Sequence, residues 1–318
     1  MERIDILRSV RDILVKAGFY VSDMYPIRLQ GFDLITRRDD TLLIVKVLSN
    51  IDALSPEVAD ELLKLSRLLR ATPLLIGERT GLNDLEDNVV YYRFGIRVIT
   101  VKTLSDYLLE GVPITVYAAP GGLYVNLDEE KLRLMRMSKG LSLGSFARCI
   151  NISRRTAQLY EKGEMNARVE IASRIEELLE ASFTIPIDIL SPPILKEEHN
   201  FNTYNRRIDT YEEFKREIFS LIERIGYQII PLERCPFEAV SKKKEKVLLT
   251  CVDKYNKKLV VKAQIVSSIS RITERYAMII TDKETDKTNV EGTPIMHKKE
   301  LKKIRDPDEM IKLILERI

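Results

Sequence analysis

Apolar residues recur at helical spacing over residues 4–17, where Ile4, Ile6, Leu7, Val10, Ile13, Leu14 and Val15 are set among charges. That period predicts an amphipathic helix, and Gly18 stops it. Alternating and continuous apolar runs then take over. Phe19–Ile27 and Phe32–Thr36 predict strands, and Thr41–Ser49 predicts a buried strand. A second helix is expected over Pro56–Leu69, with Ser55 as its N-cap and Pro56 at its first position. Thr72–Gly77 predicts another buried strand, and Tyr92–Leu109 a strand that runs into a helix. Helix, strands, helix, strand in this order predict an α/β domain with a mixed central sheet.

Thr115–Asp128 alternates around Pro120-Gly121-Gly122 and predicts a hairpin. Asp128 or Asn126 then caps a helical region that runs to about Ser182. Residues 182–205 carry three prolines and no sustained period, so they read as a connector. The C-terminal part repeats the N-terminal part. Aligning Asp33 with Glu238 places Leu43 on Leu248 and Lys46 on Cys251 without a gap. Further on, RATPLLIG matches RYAMIIT and GIRVITVKTL matches GTPIMHKKEL. Matching residues in a matching order of elements point to an internal duplication.

Composition adds limits. The chain has 318 residues, a length that favours two or three domains, and it is 45% hydrophobic and 31% charged, as folded soluble chains are. No apolar run reaches the roughly 18 residues that a bilayer span needs. The N-terminus lacks the continuous apolar stretch of a secretory signal. Cys149, Cys235 and Cys251 are scattered and odd in number, which favours a reducing cytoplasm over a disulfide framework. With His199 and His297 the only histidines and no CxxC, a zinc site is not expected. A net charge of +3 says little about partners, but its local distribution says more. Lys131, Arg133, Arg136, Lys139, Arg148, Arg154, Arg155 and Lys162 fall in one segment, and Glu161 is its lone acid.

Within that segment the residues meet the needs of two short helices crossing at a tight turn. Ala147 is small enough for the crossing. Asn151 tolerates a left-handed backbone, Ile152 is apolar after the turn, and Ser153 caps the second helix. Ala157 and Tyr160 lie three apart on one face and hold that helix down. The opposite face then offers Arg154, Arg155, Thr156, Gln158 and Leu159, a set suited to phosphates and base edges. Ser142 and Lys162 complete the candidate DNA-binding residues. Cys149 reads as a small packed residue of the leading helix.

The spacing of Arg136, Gly140-Leu141-Ser142, Phe146-Ala147, Ser153-Arg154-Arg155-Thr156, Tyr160-Glu161 and Gly163 resembles the helix-turn-helix of the phage-repressor (Cro/cI, or XRE) family, from Glu130 to about Ser182. The resemblance implies that the helix from Ser153 enters the major groove and that Arg136 pairs with Glu161. It departs at Leu143, where the family often has a phosphate-touching Gln. The longer pattern, with hairpin, helix-turn-helix and flanking α/β domains, resembles an archaeal family of XRE-type transcriptional regulators across nearly the whole chain.

Gly31–Val47 resembles a restriction-endonuclease-like nuclease site. Such sites carry an Asp at one strand and an acid-x-Lys triplet on the next, the carboxylates holding Mg²⁺. Asp33 and Lys46 fill the outer places, but the inner acid is replaced by Ile44. Asp39, Asp40 and Glu57 are the candidates for a migrated acid. In the second copy Glu238 stands with Leu249 and Cys251 at the motif positions. Ser241–Lys246 lies between two strands there, either as a plain hairpin tip or as a loop touching phosphates.

The expected fold class is therefore a pair of α/β flanking domains, degenerate restriction-endonuclease-like with a mixed central sheet, around an all-α Cro/cI-type helix-turn-helix domain. The expected boundaries are 1–113 for the first α/β domain, 114–127 for a hairpin connector, 128–183 for the helix-turn-helix, 184–208 for a linker and 209–318 for the second α/β domain. The expected function is a cytoplasmic, sequence-specific regulator that binds double-stranded DNA as a homodimer, with no cofactor, metal, membrane or catalytic role. Two alternatives stay open: a Mg²⁺-dependent nuclease, and an assembly protein whose basic helices bind protein.

Overall fold

The computed structural model describes residues 2–23, 31–192 and 211–318. Packing divides the chain into two compact units: Met1–Ile13, Leu48–Ala53 and Leu74–Ser191 in one, Leu14–Val47, Leu54–Pro73 and Pro192–Ile318 in the other. The expected boundaries follow chain order, whereas these units do not. Part of the first α/β domain is grouped with the C-terminal part, because its second helix buries polar groups against a turn there.

The N-terminal elements are α1 (Arg3–Lys16), β1 (Tyr20–Val21), β2 (Leu34–Arg38), β3 (Thr41–Asn50), α2 (Pro56–Leu69), β4 (Thr72–Thr80), β5 (Asn83–Asp84), β6 (Val89–Arg93), β7 (Ile96–Ile99) and α3 (Val101–Leu109). α1 buries Ile6, Val10 and Leu14 on one face and ends at Gly18, whose φ of +82° suits glycine. The Ser55 hydroxyl accepts the Val58 amide at the start of α2, with Pro56 in its first turn. The strand expected over Phe19–Ile27 is short, covering Tyr20–Val21 alone, since the Ser22 hydroxyl instead accepts the amide of Ile35 at 3.1 Å; Met24–Ile27 lies outside the described residues. The strand expected from Tyr92 is a hairpin instead. Phe94 (φ +49°) and Gly95 (φ +78°) turn the chain, and β6 pairs antiparallel with β7.

In the second unit β1, β2 and β3 form an antiparallel meander. The C-terminal domain follows with α8 (Glu213–Ile225), β12 (Gln228–Pro231), β13 (Ala239–Lys243), β14 (Lys246–Val252), α9 (Lys257–Thr273), β15 (Tyr276–Thr281), β16 (Asn289–Val290), β17 (Thr293–His297), α10 (Lys298–Leu301) and α11 (Pro307–Leu315). Its sheet runs β12-β13-β14-β15-β17-β16. β12 to β14 are antiparallel, and β14–β15 and β15–β17 are parallel. Phe219, Ile222, Leu248, Met278, Ile280 and Met310 fill the core between sheet and helices.

The duplication shows in the strand registers. Leu34 pairs with Val45 and Thr36 with Leu43 in the first copy; Ala239 pairs with Thr250 and Ser241 with Leu248 in the second. These are the same pairs under the alignment that puts Asp33 on Glu238. The entry into each strand matches too: the Asp33 amide donates to Val45 O at 2.8 Å and the Glu238 amide to Thr250 O at 3.0 Å.

Within this unit α2 packs on the turn that leads to β13. Lys64 Nζ donates to Pro231 O at 2.7 Å, and the Glu61 carboxylate accepts the amides of Glu233 at 2.9 Å and Arg234 at 2.5 Å. A Cβ on Gly31 would come within 2.9 Å of Arg234 O, which the Gly31 amide binds at 3.1 Å, so the approach needs glycine. Burial pushes the Glu61 carboxyl above its ordinary value, against the pull of the Arg234 amide.

In the first unit β7 lies between β4, which is parallel to it, and β6. The sheet continues into β8 (Val116–Ala119), parallel to β6, and β9 (Gly122–Leu127), antiparallel to β8. Four helices follow: α4 (Glu129–Ser138), α5 (Leu143–Cys149), α6 (Arg154–Glu161) and α7 (Val169–Leu179), with β10 (Ala167–Arg168) between the last two and β11 (Thr184–Ile185) after them. Both β10 and β11 pair with β9, so the expected connector hairpin is an integral strand support for the helices. Val125, Leu132, Phe146, Ala157, Ile175 and Phe183 form their shared core. Residues 193–208 of the expected linker lie outside the described residues. Among the described residues no helix is long and apolar enough to cross a membrane.

Candidate nucleic-acid interface

The local sequence builds the α5–turn–α6 segment from both ends. Asp128 caps α4 and Ser142 caps α5, its hydroxyl accepting the Ser145 amide at 3.1 Å. α5 buries Phe146 and Ala147. Asn151 then takes φ +56°, the left-handed turn, and the Ile152 amide returns to Ala147 O at 2.9 Å. The Ser153 hydroxyl accepts the Thr156 amide at 3.0 Å and meets the Thr156 hydroxyl at 2.8 Å. α6 buries Ala157 and Tyr160 and turns Arg154, Arg155 and Gln158 outward, with Thr156 and Leu159 half-buried.

Electrostatics sets this face apart. Among the described residues Arg154, Arg155 and Arg148 have no ion-pair partner, so their charges are available. Lys162 is exposed and meets Glu164 at 3.8 Å. Arg136 is committed inside the domain. Its Nε and Nη2 reach the two Glu161 carboxylate oxygens at 2.5 and 3.0 Å, and Nη1 donates to Leu141 O at 2.6 Å. The fork ties α4, the α4–α5 loop and the last turn of α6 together, and the hydrogen bond that Arg136 donates to Glu161 raises the Arg136 pKa further. Leu143 is partly buried against the core. Cys149 was expected to be packed and is exposed instead, because the crossing of α5 and α6 is made by Ala147 on the other face.

The nuclease-like positions show a different chemistry. Asp33 and Lys46 come together at 3.6 Å, both nearly buried, and the Val47 amide donates to Asp33 at 2.7 Å. Ile44 is fully buried and pairs with Ile35, so no oxygen stands where the inner acid would be. In the second copy the Val252 amide donates to Glu238 at 2.8 Å, the same contact under the same alignment. There Lys262 of α9 and Lys215 of α8 donate to Glu238 at 2.6 and 3.2 Å, and Lys262 also reaches Asp253 at 3.3 Å. Cys251 sits in place of Lys46, and burial pushes its thiol up against the opposing pull of Lys262. Sequence reading missed Lys215 and Lys262, charged residues of α8 and α9, and Asp253, which directly follows β14.

Neither donor set fits a catalytic Mg²⁺, which asks for free carboxylate oxygens where ammonium groups and amides now sit. Asp39 and Asp40 lie in the β2–β3 turn, and Glu57 opens α2, its pKa lowered first by the Ser55 hydroxyl. Among the described residues no three His, Cys, Asp or Glu side chains are grouped to hold a metal. Of the expected Ser241–Lys246 tip, Ser241–Lys243 belong to β13 and Lys246 to β14, so only Lys244–Glu245 form the turn, and Lys246 pairs with Asp308.

Comparison with known proteins agrees with these two geometries. Residues 3–114 match the PD-(D/E)XK superfamily domain and residues 132–185 match a helix-turn-helix domain. A protein of Methanosarcina barkeri is 37% identical over 98% of this chain and 96% of its own length. Others from Methanococcoides burtonii and Natronomonas pharaonis are 38% and 37% identical over 98% and 100% of the chain and 96% and 99% of their own lengths. Each carries the provisional name of HTH-type transcriptional regulatory protein. The chain belongs to this archaeal family. The likeness to these relatives runs over nearly the whole chain, across the residues of both the PD-(D/E)XK match and the helix-turn-helix match. No solved structure matches the chain.

Proposed function

We propose that this chain is a sequence-specific regulator of transcription that binds double-stranded DNA by laying α6 in the major groove. The carrying observation is the outward face of α6, where Arg154 and Arg155 stand exposed and unpaired beside Gln158. Arg suits the guanine edge and Gln the adenine edge. Ser153 fixes the helix start and the Arg136–Glu161 fork fixes its end, so the reading face is held before DNA arrives. The names of the relatives support the same reading. The working form is a homodimer, since one short helix reads too few base pairs to discriminate in a genome. Selection from a random duplex pool tests the reading: the wild-type chain should enrich one sequence, and Arg155→Ala should lose about 1–3 kcal/mol of preference for it. Equal binding to all duplexes by the wild type would refute it.

A second reading, a Mg²⁺-dependent nuclease, draws on the Asp33–Lys46 pair and the PD-(D/E)XK match. The buried Ile44 and the ammonium groups on Glu238 weigh against it, and the α/β domains serve as scaffold in our reading.

A further inference from the structure

The chain that leaves α6 does not run free to α7. Ala167 and Arg168 pair with Val125 and Tyr124 of β9, so the loop after the reading helix is stitched to the hairpin. Two more contacts lock it. Asn166 Nδ2 donates to the Tyr117 hydroxyl at 2.6 Å, and the Tyr124 hydroxyl donates to Pro120 O at 3.3 Å. The rings of Tyr117 and Tyr124 stack at 6.0 Å between centroids, and Tyr92 meets Tyr117 edge-on at 6.4 Å.

Arg168 lies over the hairpin turn. A Cβ on Gly121 would come within 3.4 Å of Arg168 Nη2 and 3.1 Å of the Tyr124 hydroxyl, and Gly121 has φ +97°, so the turn there requires glycine. The guanidinium is exposed, and among the described residues it has no ion pair or hydrogen-bond partner. Glu164, the acid in the loop, meets Lys162. Arg168 follows Lys162, the C-cap of α6, across a short loop that the β9–β10 pairing fixes, so with α6 in the groove its guanidinium stands within reach of the adjoining backbone.

We propose that Arg168 and the Pro120–Gly122 hairpin turn form a second DNA contact, a wing that takes the sugar–phosphate backbone beside the base pairs reached by α6. This rests on the reading of α6 as a DNA-reading helix, and the occupant is the same duplex. The β9–β10 pairing and the tyrosine stack hold the wing rigid, so Arg168 adds its charge without ordering a loop on binding.

The test uses the full chain and the duplex it enriches from a random pool. The slope of log K against log salt should be shallower for Arg168→Ala by about 0.9 per chain, the loss of one phosphate contact each, and so by about 1.8 for the bound homodimer, equally on the enriched and an unrelated duplex. A hydroxyl-radical footprint should lose its flank and keep its centre. Arg168→Lys should restore the slope. The side chain makes no capping bond to α7, so the fold should survive, and an unchanged thermal melt checks that. An unchanged slope and footprint for Arg168→Ala, with Arg155→Ala losing the sequence preference, overturns the wing and leaves the α6 reading standing. No effect of either variant, or no enriched duplex at all, overturns both.

Discussion

The fork between Arg136 and Glu161 should be the energetic keystone of the helical domain. Both side chains are nearly buried, 12% and 9% exposed, and two parallel hydrogen bonds join them. Arg136→Ala strands the Glu161 carboxylate and frees the Leu141 carbonyl from its donor. Breaking one side of a buried pair costs about 3–5 kcal/mol, and the residual exposure of this one lowers the expectation to roughly 2–4 kcal/mol. A domain of the size matched here, residues 132–185, holds roughly 3–8 kcal/mol in total at 0.05–0.15 kcal/mol per residue, so the loss is a large share of it. Glu161→Ala should cost a similar amount, since it leaves a nearly buried guanidinium without its carboxylate. The double variant should cost less than the sum by about 1.5–3 kcal/mol. Amide hydrogen exchange in α6, read at Ala157 and Tyr160, follows this domain apart from the rest of the chain. Additivity within about 0.5 kcal/mol would refute the argument.

At Glu61, Gln should preserve the acceptor for the Glu233 and Arg234 amides and remove a buried charge, whereas Ala should cost about 1–3 kcal/mol per abandoned amide; equal melting of both variants in thermal scans would contradict this. The folded-state pKa of Glu61 is raised above its ordinary 4.5, so its share of stability is present below that value and lost as pH rises through the folded value; Glu61→Gln should remove that slope between acid and neutral pH. Supercoiled DNA with Mg²⁺ or Mn²⁺ should remain uncut, and cleavage abolished by Asp33→Ala or Lys46→Ala would promote the nuclease reading. Light scattering at micromolar concentration should give twice the chain mass of 36.7 kDa, and a persistent single mass on DNA at one chain per duplex would refute the homodimer.

Much of the fold was legible because local chemistry decided it. Ser55 and Ser153 cap the helices they were expected to cap, Asp128 rather than Asn126 caps α4, and Asn151 takes the left-handed turn. The gap-free alignment of Asp33 with Glu238 carried through to matching strand registers. What escaped reading was non-local. Phe94–Gly95 folds an apolar run into a hairpin, which periodicity alone does not distinguish from one long strand. Glu61 and Lys64 look like the polar face of an amphipathic helix, yet their partners are backbone groups some 170 positions away, as Lys64 and Pro231 show with a separation of 167. Lys262 on Glu238 escaped for the same reason: pairing across elements leaves no spacing in the sequence. Arg168 was passed over because it lies beyond the short motif, and its nearness to the hairpin arises only once β10 pairs with β9.

The claim that α6 reads bases in the major groove is tested most directly by methylation interference on the enriched duplex. Methyl groups on guanine N7 lie in the major groove, where Arg154 and Arg155 would make their contacts. The account predicts strong interference at one or two guanines per half-site for the wild-type chain, with a guanine losing its effect in Arg155→Ala. Binding that is indifferent to every N7 methyl group, with interference confined to minor-groove adenine N3, would contradict it.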